Sequence, residues 1–310
     1  MTFTTRLKEE ITKNDVGQIE SLVELSAFIK YAGQIKKNKI TLIMENASVA
    51  RRIYKDIKSN FGINIKITIR NQKRFRVKQI YILEITEKVE HILETLNIMK
   101  DNKNTLPEEF FLSTQEEKAA FLKGAFMACG SINDPSTAGY HLEFTSDMKK
   151  EGTFLSNLLK EFNIISKVLK RNNHYMTYIK SAEMISDLIR LLGATNSFFY
   201  FEDIRIYRDH KNMVNRLNNC EIANQEKILK TGIKQLDDIR YLKENDLTGL
   251  LDENVQEAIR YREAYPETSL QELADIISQE TGRQIGKSGI NHYFIKVKKL
   301  VEKHKEKNNQ

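Results

Sequence analysis

The sequence contains few of the residues that identify several large protein classes. Its 310 residues include 2 cysteines, 3 prolines, 13 glycines and no tryptophan. So few prolines and glycines argue against collagen, turn-based solenoids and long disordered linkers. The two cysteines, Cys129 and Cys220, cannot form a disulfide framework and lack the spacing of a zinc cluster. We therefore expect a protein of the reducing cytoplasm.

Long hydrophobic runs are also missing. No apolar segment approaches the roughly 20 residues that a membrane helix needs, and segment 1–10 is too charged for a signal peptide. The sequence therefore predicts no membrane partner. Hydrophobic residues make up 40% of the chain and charged residues 29%, as is typical of globular domains. The length predicts two domains, or three.

Positive charge is in moderate excess and is concentrated in two segments. Lys and Arg number 49 against 42 Asp and Glu, which gives a net charge of +7. Many basic proteins bind no nucleic acid, so the distribution of charge matters more than its sum. Segment 64–83 has six basic residues and no acid, and segment 283–310 has eight basic residues and two acids. Both segments are candidates for nucleic-acid contact.

The first two thirds of the chain contain an internal duplication. Segment 25–35 aligns with 122–132, and both copies end on a small-residue pattern that includes Gly33 or Gly130. The alignment continues with 41–43 on 142–144, Ile53 and Ile57 on Phe154 and Leu158, 61–63 on 162–164, and Val89, Leu93 and Leu96 on Met184, Leu188 and Leu191. The halves run from about 21 to 99 and from about 116 to 194.

Hydrophobic periodicity within each half predicts the order α-β-β-α-β-β-α. The predicted elements are helices at about 20–33 and 116–130, strands at 39–44 and 140–145, hairpins of 64–69 with 79–85 and of 166–170 with 175–179, and closing helices at about 86–99 and 181–192. Small residues such as Ala27 and Gly124 lie on one face of the first helices and would let the two helices pack closely. Ordinary core helices are the alternative. We predict an α+β domain with pseudo-twofold symmetry.

The motif in segment 122–131, with Gly124 and Gly130, resembles the LAGLIDADG helix of homing endonucleases. In those enzymes each helix ends on an acidic residue that holds divalent metal for phosphodiester cleavage. The corresponding residues here are Ala32 and Cys129, and neither offers the oxygen ligands that such metals require. We interpret nearby Asp134 and Glu143 as turn and strand-surface residues, with a metal role as the alternative. The resemblance therefore predicts the scaffold without catalysis and without metal.

The resemblance also predicts a DNA-contacting saddle made of the paired hairpins. The basic residues that would contact DNA are Lys66, Arg70, Lys73, Arg74, Arg76, Lys170 and Arg171. The alternative is that lysine and arginine guard exposed strand edges against aggregation. The sequence alone leaves both interpretations open.

A long helical tract follows, from about 202 to 244. Asparagines cluster in segment 212–224, and asparagine is a poor helix former and a good capping residue. This favours a break between two helices, and a polar surface for DNA phosphate or a partner is the alternative. Segment 244–249 has turn composition and is the predicted domain boundary.

The last part of the chain predicts three short helices in a helix-turn-helix arrangement. The first covers 253–264, the second begins after Thr268 or Ser269 with Glu272 completing a capping box, and the third is capped by Ser288 and runs to about 302. A recognition helix reads base edges with side chains near its start and holds phosphate with basic residues. The predicted DNA-contacting residues are Ser269, Arg283, Lys287, Ser288, Asn291, His292, Lys296, Lys298 and Lys299. A solvated charged face on a small bundle is the alternative.

Segment 282–288 superficially resembles a phosphate-binding P-loop. That loop needs four residues between its two glycines, and here Gly282 and Gly286 are separated by three. No predicted strand precedes the segment. We therefore predict no nucleotide cofactor, and no other cofactor.

Both modules together resemble the WhiA family of bacterial DNA-binding regulators. The segments that support this resemblance are 45–47, 51–54, 121–126 with 130–131, 215–224 and 286–292, and the similarity extends from about 3 to 302. It implies sequence-specific binding to double-stranded DNA, transcription control, a role in cell division or chromosome segregation and, in sporulating relatives, sporulation. It also implies a nucleoid-associated location. Tyr293 and Phe294 stand where the family tends to have a basic residue.

We therefore predict four regions: a helical lead-in (1–20), a duplicated LAGLIDADG-like domain (21–200), a helical linker (201–251) and an all-α helix-turn-helix domain (252–310). The leading hypothesis is a DNA-binding regulator that is not an enzyme. A homing-type DNA endonuclease is one alternative. Another is an adaptor whose LAGLIDADG-like domain binds a transcription or cell-division protein while the C-terminal module alone holds DNA.

Overall fold

The computed structural model describes residues 1–71, 79–100 and 103–308. The chain forms two compact units, Met1–Arg208 and Asp209–Gln310. In the part of the chain that is described, no helix has an apolar stretch long enough to cross a membrane.

The first unit contains the predicted duplication. After α1 (Phe3–Ile11), the first half consists of α2 (Gln18–Ala32), β1 (Gly33–Lys36), β2 (Lys39–Met44), α3 (Ala47–Phe61), β3 (Lys66–Asn71), β4 (Gln79–Ile85) and α4 (Val89–Thr95). A small hairpin, β5 (Met99–Lys100) with β6 (Lys103–Asn104), and a 3-10 turn (Glu109–Leu112) connect the halves. The second half consists of α5 (Gln115–Cys129), β7 (Gly130–Ile132), β8 (Leu142–Ser146), α6 (Lys149–Glu161), β9 (Lys167–Arg171), β10 (His174–Ile179) and α7 (Ala182–Leu191).

Each half has its own antiparallel sheet of four strands. The strand order is β1-β2-β4-β3 in the first half and β7-β8-β10-β9 in the second. The same order in both sheets confirms the predicted α-β-β-α-β-β-α repeat. The segment before the repeat is helical, and Thr4 Oγ1 of α1 donates a hydrogen bond of 2.7 Å to the Ile132 carbonyl at the end of β7.

The predicted alignment of the halves is wrong by one residue from β2 into α3 and again at the closing helices. Gly33 lies opposite Leu42, and Gly130 lies opposite Phe144, so Leu42 corresponds to Phe144 rather than Ile43. Side chains alternate along a strand, and the predicted slip would pair exposed Ile43 with a buried phenylalanine. The closing helices are likewise shifted, because the same backbone bond joins Ile98 to Leu93 and Ala194 to Ile189.

Helices α2 and α5 pack against each other at close range, as the small residues predict. A Cβ atom added to Gly124 would lie 2.2 Å from the Glu24 carbonyl oxygen and 2.9 Å from the Ala27 Cβ. Only glycine therefore permits this helix crossing. Phe28 and Phe121 are fully buried beside the crossing.

Two ion pairs are buried on α2, and neither is repeated in the other half. Glu24 Oε2 lies 3.2 Å from Arg52 Nη2, and Lys30 Nζ lies 3.3 Å from Glu151 Oε1. Burial raises the pKa of Glu24 to about 7 although Arg52 opposes the shift, and burial lowers the pKa of Lys30.

The positions that correspond between the two halves follow from the first residue of each helix and from the strand register. Residues 24 and 52 correspond to Phe121 and Phe154, whose rings pack edge to face at 5.5 Å. Residues 30 and 151 correspond to Met127 and Val49, both buried. The fold therefore accepts either charged or apolar side chains at these positions.

Helix α8 (Thr195–Glu244) is continuous over 50 residues. The predicted break at the asparagine-rich segment 212–224 is therefore wrong. Asparagine in a helix costs only about 0.7 kcal/mol relative to alanine, and no proline occurs in the helix. At its start, Glu10 Oε2 of α1 accepts hydrogen bonds from the Ser197 amide at 2.9 Å and its hydroxyl at 2.7 Å.

The second unit contains α8 from Asp209 onward, a 3-10 turn (Thr248–Leu250), α9 (Glu253–Ala264), α10 (Leu270–Thr281) and α11 (Lys287–Asn308). Ile239 and Leu242 of α8 share one core with the apolar sides of α9, α10 and α11. The buried side of α11 is the predicted one, Ile290, Phe294, Val297 and Val301. The three-helix prediction is thus confirmed.

The residue that caps the start of α10 was predicted correctly, and the prediction for the start of α11 is wrong. Ser269 caps α10, and Glu272 completes the capping box, as expected. Ser288 does not cap α11, because the helix already includes Lys287 and its first hydrogen bond runs from the Ile290 amide to the Gly286 carbonyl. Glycine serves at this position because an N-terminal cap tolerates it nearly as well as serine.

Candidate nucleic-acid interfaces

Helix α11 carries a continuous exposed face. Its members recur every three or four residues and are Ser288, Asn291, His292, Ile295, Lys298 and Lys299. Residues at this spacing lie on one side of a helix. A hydroxyl, an amide, an imidazole and two ammonium groups therefore face solvent together. We refer to these six residues as the exposed face of α11. On this face, Lys298 Nζ lies 3.5 Å from Glu302 Oε1 of the same helix.

Two other predicted contacts are engaged by acidic or amide groups from outside α11. Lys296 Nζ lies 2.7 Å from Asp252 Oδ2, and this hydrogen bond lowers the pKa of Asp252. Arg283 donates hydrogen bonds to the side chains of Glu257 and Asn254 on α9. A DNA phosphate would have to compete with a carboxylate for either basic side chain. The sequence pattern did not indicate these pairs, because the partners lie on another helix.

The remaining two predicted residues of this unit, Ser269 and Lys287, line a common cleft. The cleft lies between α8, α10 and α11 and has a volume of about 440 Å³. Lys227 of α8 and Arg262 of α9 line it as well. Sequence patterns had singled out neither residue, because each lies on an ordinary amphipathic helix whose packing brings it to the cleft.

In the first sheet, Lys66 and Arg70 lie on the face opposite the core. Lys66 is paired with Glu84 and Arg70 with Ile80, whereas the core residues Leu83 and Ile85 point to the other face. Glu84 also accepts a hydrogen bond from Lys39, which lowers its pKa. The open face therefore combines basic residues with a carboxylate, Glu84, whose negative charge is balanced by Lys39 and Lys66. Predicted contacts Lys73, Arg74 and Arg76 lie outside the described residues.

In the second sheet, Lys170 and Arg171 point to opposite faces. Lys170 lies opposite Tyr175, on the same face as buried Thr177 and Ile179. Arg171 lies on the open face, where its guanidinium is 3.9 Å from the Met176 sulfur. Adjacent residues on a strand cannot both contact one ligand surface. Only Arg171 of this pair thus lies on the face equivalent to that of Lys66 and Arg70.

The ends of α2 and α5 carry no carboxylate. Ala32 is the last residue of α2, and Cys129 ends α5 with its thiol donating to the Ala125 carbonyl at 3.3 Å. Burial raises the pKa of the Cys129 thiol to about 12, which keeps it neutral. In the ranges that the structure describes, no three His, Cys, Asp or Glu residues converge as metal ligands would.

The two acids near these helix ends have the local roles that the sequence predicts. Asp134 lies in a turn, and its Oδ1 accepts hydrogen bonds from the Ser136 amide at 2.9 Å and the Ser136 hydroxyl at 2.6 Å. Glu143 lies on β8, with its Oε2 2.8 Å from His141 Nε2. The interpretation of both residues as turn and strand-surface residues is confirmed.

Comparisons with known proteins give a consistent result along the chain. Three family models match: the WhiA N-terminal LAGLIDADG-like domain over residues 18–99, the WhiA LAGLIDADG-like domain over 118–211 and the WhiA C-terminal HTH domain over 214–301. Proteins of Bacillus cereus (strain B4264) and Bacillus cytotoxicus, each named "Probable cell division protein WhiA", are 35% identical over 309 residues, which covers 98% of this chain and 97% of theirs.

A solved structure shares the whole fold. Full-length DUF199/WhiA from Thermatoga maritima is similar with a TM-score of 0.59 at 23% identity, over 98% of this chain and 99% of that one. The N-terminal LAGLIDADG domain of DUF199/WhiA, solved separately, has a TM-score of 0.51 at 22% identity and covers 62% of this chain and 90% of that one. The match to the full-length structure extends over both units.

Proposed function

The chain belongs to the WhiA family, and we propose that it is a sequence-specific DNA-binding protein that regulates transcription in connection with cell division. Sporulation would be a further process under this control in relatives that form spores. The observation that carries the proposal is the exposed face of α11, where Asn291 and His292 near the helix start precede Lys298 and Lys299. This order suits base reading followed by phosphate binding. The expected partner is double-stranded DNA in the nucleoid.

We further propose that the LAGLIDADG-like unit has no nuclease activity. Metal-dependent cleavage needs oxygen ligands that hold the cation beside the scissile phosphate. The helix ends that would supply them carry a methyl group at Ala32 and a neutral thiol at Cys129. Asp134 and Glu143 already bind Ser136 and His141.

The purified protein should therefore leave supercoiled plasmid intact in magnesium or manganese. Plasmid nicking is measured on a gel, and DNA binding by the same preparation in the same buffer is the control for correct folding. Site-specific cleavage that is lost in Asp134→Ala or Glu143→Ala would contradict the proposal and support the endonuclease alternative.

Substituting Asn291 should reduce discrimination between DNA sites. Loss of a bidentate amide contact to a base costs about 1–3 kcal/mol for the correct site only, whereas Lys298→Ala should weaken all sequences alike and reduce the salt dependence by about one phosphate contact. Both variants are measured by fluorescence anisotropy on a specific and a random duplex. If Asn291→Ala and Lys298→Ala act equally on both duplexes, the exposed face of α11 does not read bases.

A protein-binding role for the first unit is the second candidate function. On the open face of the first sheet, exposed Ile43 lies opposite half-buried Ile82, and an apolar pair on an open face suits a protein surface better than a phosphate backbone. Under this second candidate function, the second unit alone binds DNA, and the first unit binds a transcription or cell-division protein. Lys66, Arg70 and Arg171 would then protect strand edges instead of contacting DNA.

A further inference from the structure

The cleft between α8, α10 and α11 is lined by cations without any acid. Three of its lining side chains are basic, Lys227, Arg262 and Lys287, and none is a carboxylate. They come from α8, α9 and α11, so the positive charge is assembled by the tertiary fold. Like charges that converge on one cleft repel one another unless an anion neutralises them. The composition of the cleft therefore points to an anionic ligand.

The start of α10 adds hydrogen-bond donors to the same cleft. Ser269 Oγ accepts from the Glu272 amide at 3.1 Å, which caps the helix. Among the described residues the backbone amides of Leu270 and Gln271, in the first turn of α10, form no hydrogen bond, and both residues line the cleft. Free amides at a helix start, together with the helix dipole, favour a phosphate or similar anion.

Arg262 supplies an independent sign that the cleft takes an anion. The residue is 1% exposed, and its Nη1 donates to the carbonyls of Tyr265 at 3.3 Å, Pro266 at 3.5 Å and Thr268 at 2.8 Å. Its guanidinium also lies 5.6 Å from the Phe294 ring, whereas its Nε has no hydrogen-bond partner among the described residues. Burial lowers its pKa, and no neighbouring carboxylate opposes that shift. A buried cation that lacks a counterion is costly, and an anion in the cleft would reduce that cost.

The wall that carries Lys227 is held firmly in place. A Cβ atom added to Gly232 on α8 would lie 2.6 Å from the Pro266 carbonyl oxygen, so α8 packs directly on the turn between α9 and α10. Thr231 of α8, adjacent to this glycine, also lines the cleft. The cleft is therefore preformed, which limits the entropy lost on binding.

We propose that this cleft binds a phosphate group of the DNA backbone, so that α8 forms part of the DNA interface. The inference rests on the proposed function. DNA is the source that the position favours, because Lys287 of the cleft directly precedes Ser288 on the exposed face of α11. A duplex read by Asn291 would run one of its strands past the cleft. In this arrangement Lys227 and Lys287 contact the phosphate, and the positive charge of buried Arg262 stabilises it electrostatically.

The test measures how the affinity of the full-length protein for duplex DNA depends on salt. Each phosphate contact contributes about 0.9 to the slope of log affinity against log salt. Lys227→Ala should reduce this slope by about 0.9, so that its affinity defect is about 3-fold larger at 50 mM than at 200 mM salt. The control is Lys230→Ala, whose side chain lies one turn away, is 74% exposed and pairs with Glu226. It should leave the slope unchanged.

A second variant and a free anion separate the possible outcomes. Thr231→Glu places a carboxylate in the cleft and should weaken DNA binding at least 10-fold at low salt. The proposal is overturned if Lys227→Ala and Thr231→Glu both bind DNA as the wild type does. It is also overturned if inorganic phosphate, titrated by calorimetry, depends on Lys227 while the DNA slope does not, because the cleft would then hold a free anion. Failure of the wild-type protein to bind any duplex would instead refute the proposed function.

Discussion

Lys30→Met should destabilise the first unit by about 3–5 kcal/mol, because it leaves the Glu151 carboxylate buried without its cation. The side chains of Lys30 and Glu151 are 0% and 6% exposed, so water cannot replace the lost partner. Methionine is the residue at the twofold-related position, Met127, and it fills the space without a cavity. The free energy of unfolding is measured by urea denaturation of the first unit.

The matching double substitution should recover most of this loss. Glu151→Gln removes the charge and keeps an oxygen for the Met148 amide, which Glu151 Oε2 now accepts at 3.2 Å. Lys30→Met with Glu151→Gln should therefore unfold within about 1.5 kcal/mol of the wild type, as expected for an exchange of a buried ion pair for neutral groups. If the two single losses simply add in the double variant, the ion pair has no coupling energy and the explanation is wrong.

These buried charges show where sequence reasoning stopped. The pattern of α2 predicted small residues on a packed face, and Gly124 facing Glu24 and Ala27 confirms it. It did not predict that Glu24 and Lys30 are buried on the same helix. Their partners Arg52 and Glu151 lie on other helices, so no spacing within α2 indicates them. Only the tertiary fold brings a charge and its counterion together.

The sequence pattern also failed to predict the correspondence between β2 and β8 and the continuity of α8. Both β2 and β8 were predicted close to their true bounds, yet the alignment between them slipped by one residue, because only the ladder from Gly33 to Leu42 fixes it. Segment 212–224 was predicted to break a helix because asparagines cap helices well. Each asparagine raises the free energy of the helix only slightly, and these small costs are spread along α8. No proline, whose cost would be large at a single position, occurs in the helix.

The candidate DNA surface was predicted in part. Periodicity alone placed Asn291, His292 and Lys298 on the side of α11 opposite its core. It could not show which basic residues pair with acids on another element, so Arg283 and Lys296 were grouped with them although both bind acids near α9. Lys298 instead pairs with Glu302, one turn further along α11. Charge patterns predict which residues are exposed, and the fold decides which of them remain available to a ligand.

The other large effect is expected at Gly124. Helix propensity alone predicts that Gly124→Ala stabilises α5 by about 1 kcal/mol. The added Cβ would lie 2.2 Å from a backbone oxygen of α2, which cannot rotate away as a side chain could. Overpacking costs about 1–3 kcal/mol or more, so alanine should destabilise the unit and Gly124→Val should do so more strongly. Gly249→Ala, with open space around it, is the control and should change little.

Gly124→Val should also separate the two candidate functions of the first unit. The units have separate hydrophobic cores, one that includes Phe28 and Phe121 and one that includes Ile239 and Phe294. A loss of about 3 kcal/mol lowers the melting temperature of a domain this large by roughly 6–12 °C, so calorimetry should show the transition of the first unit shifted and that of the second unchanged.

DNA affinity of the Gly124→Val variant is then measured at a temperature between the shifted and the original melting temperature of the first unit. If the duplicated unit contacts DNA, affinity should fall there by orders of magnitude, because its phosphate contacts are lost with its fold. Unchanged affinity would instead assign DNA binding to the second unit alone and leave the first unit as a protein-binding scaffold.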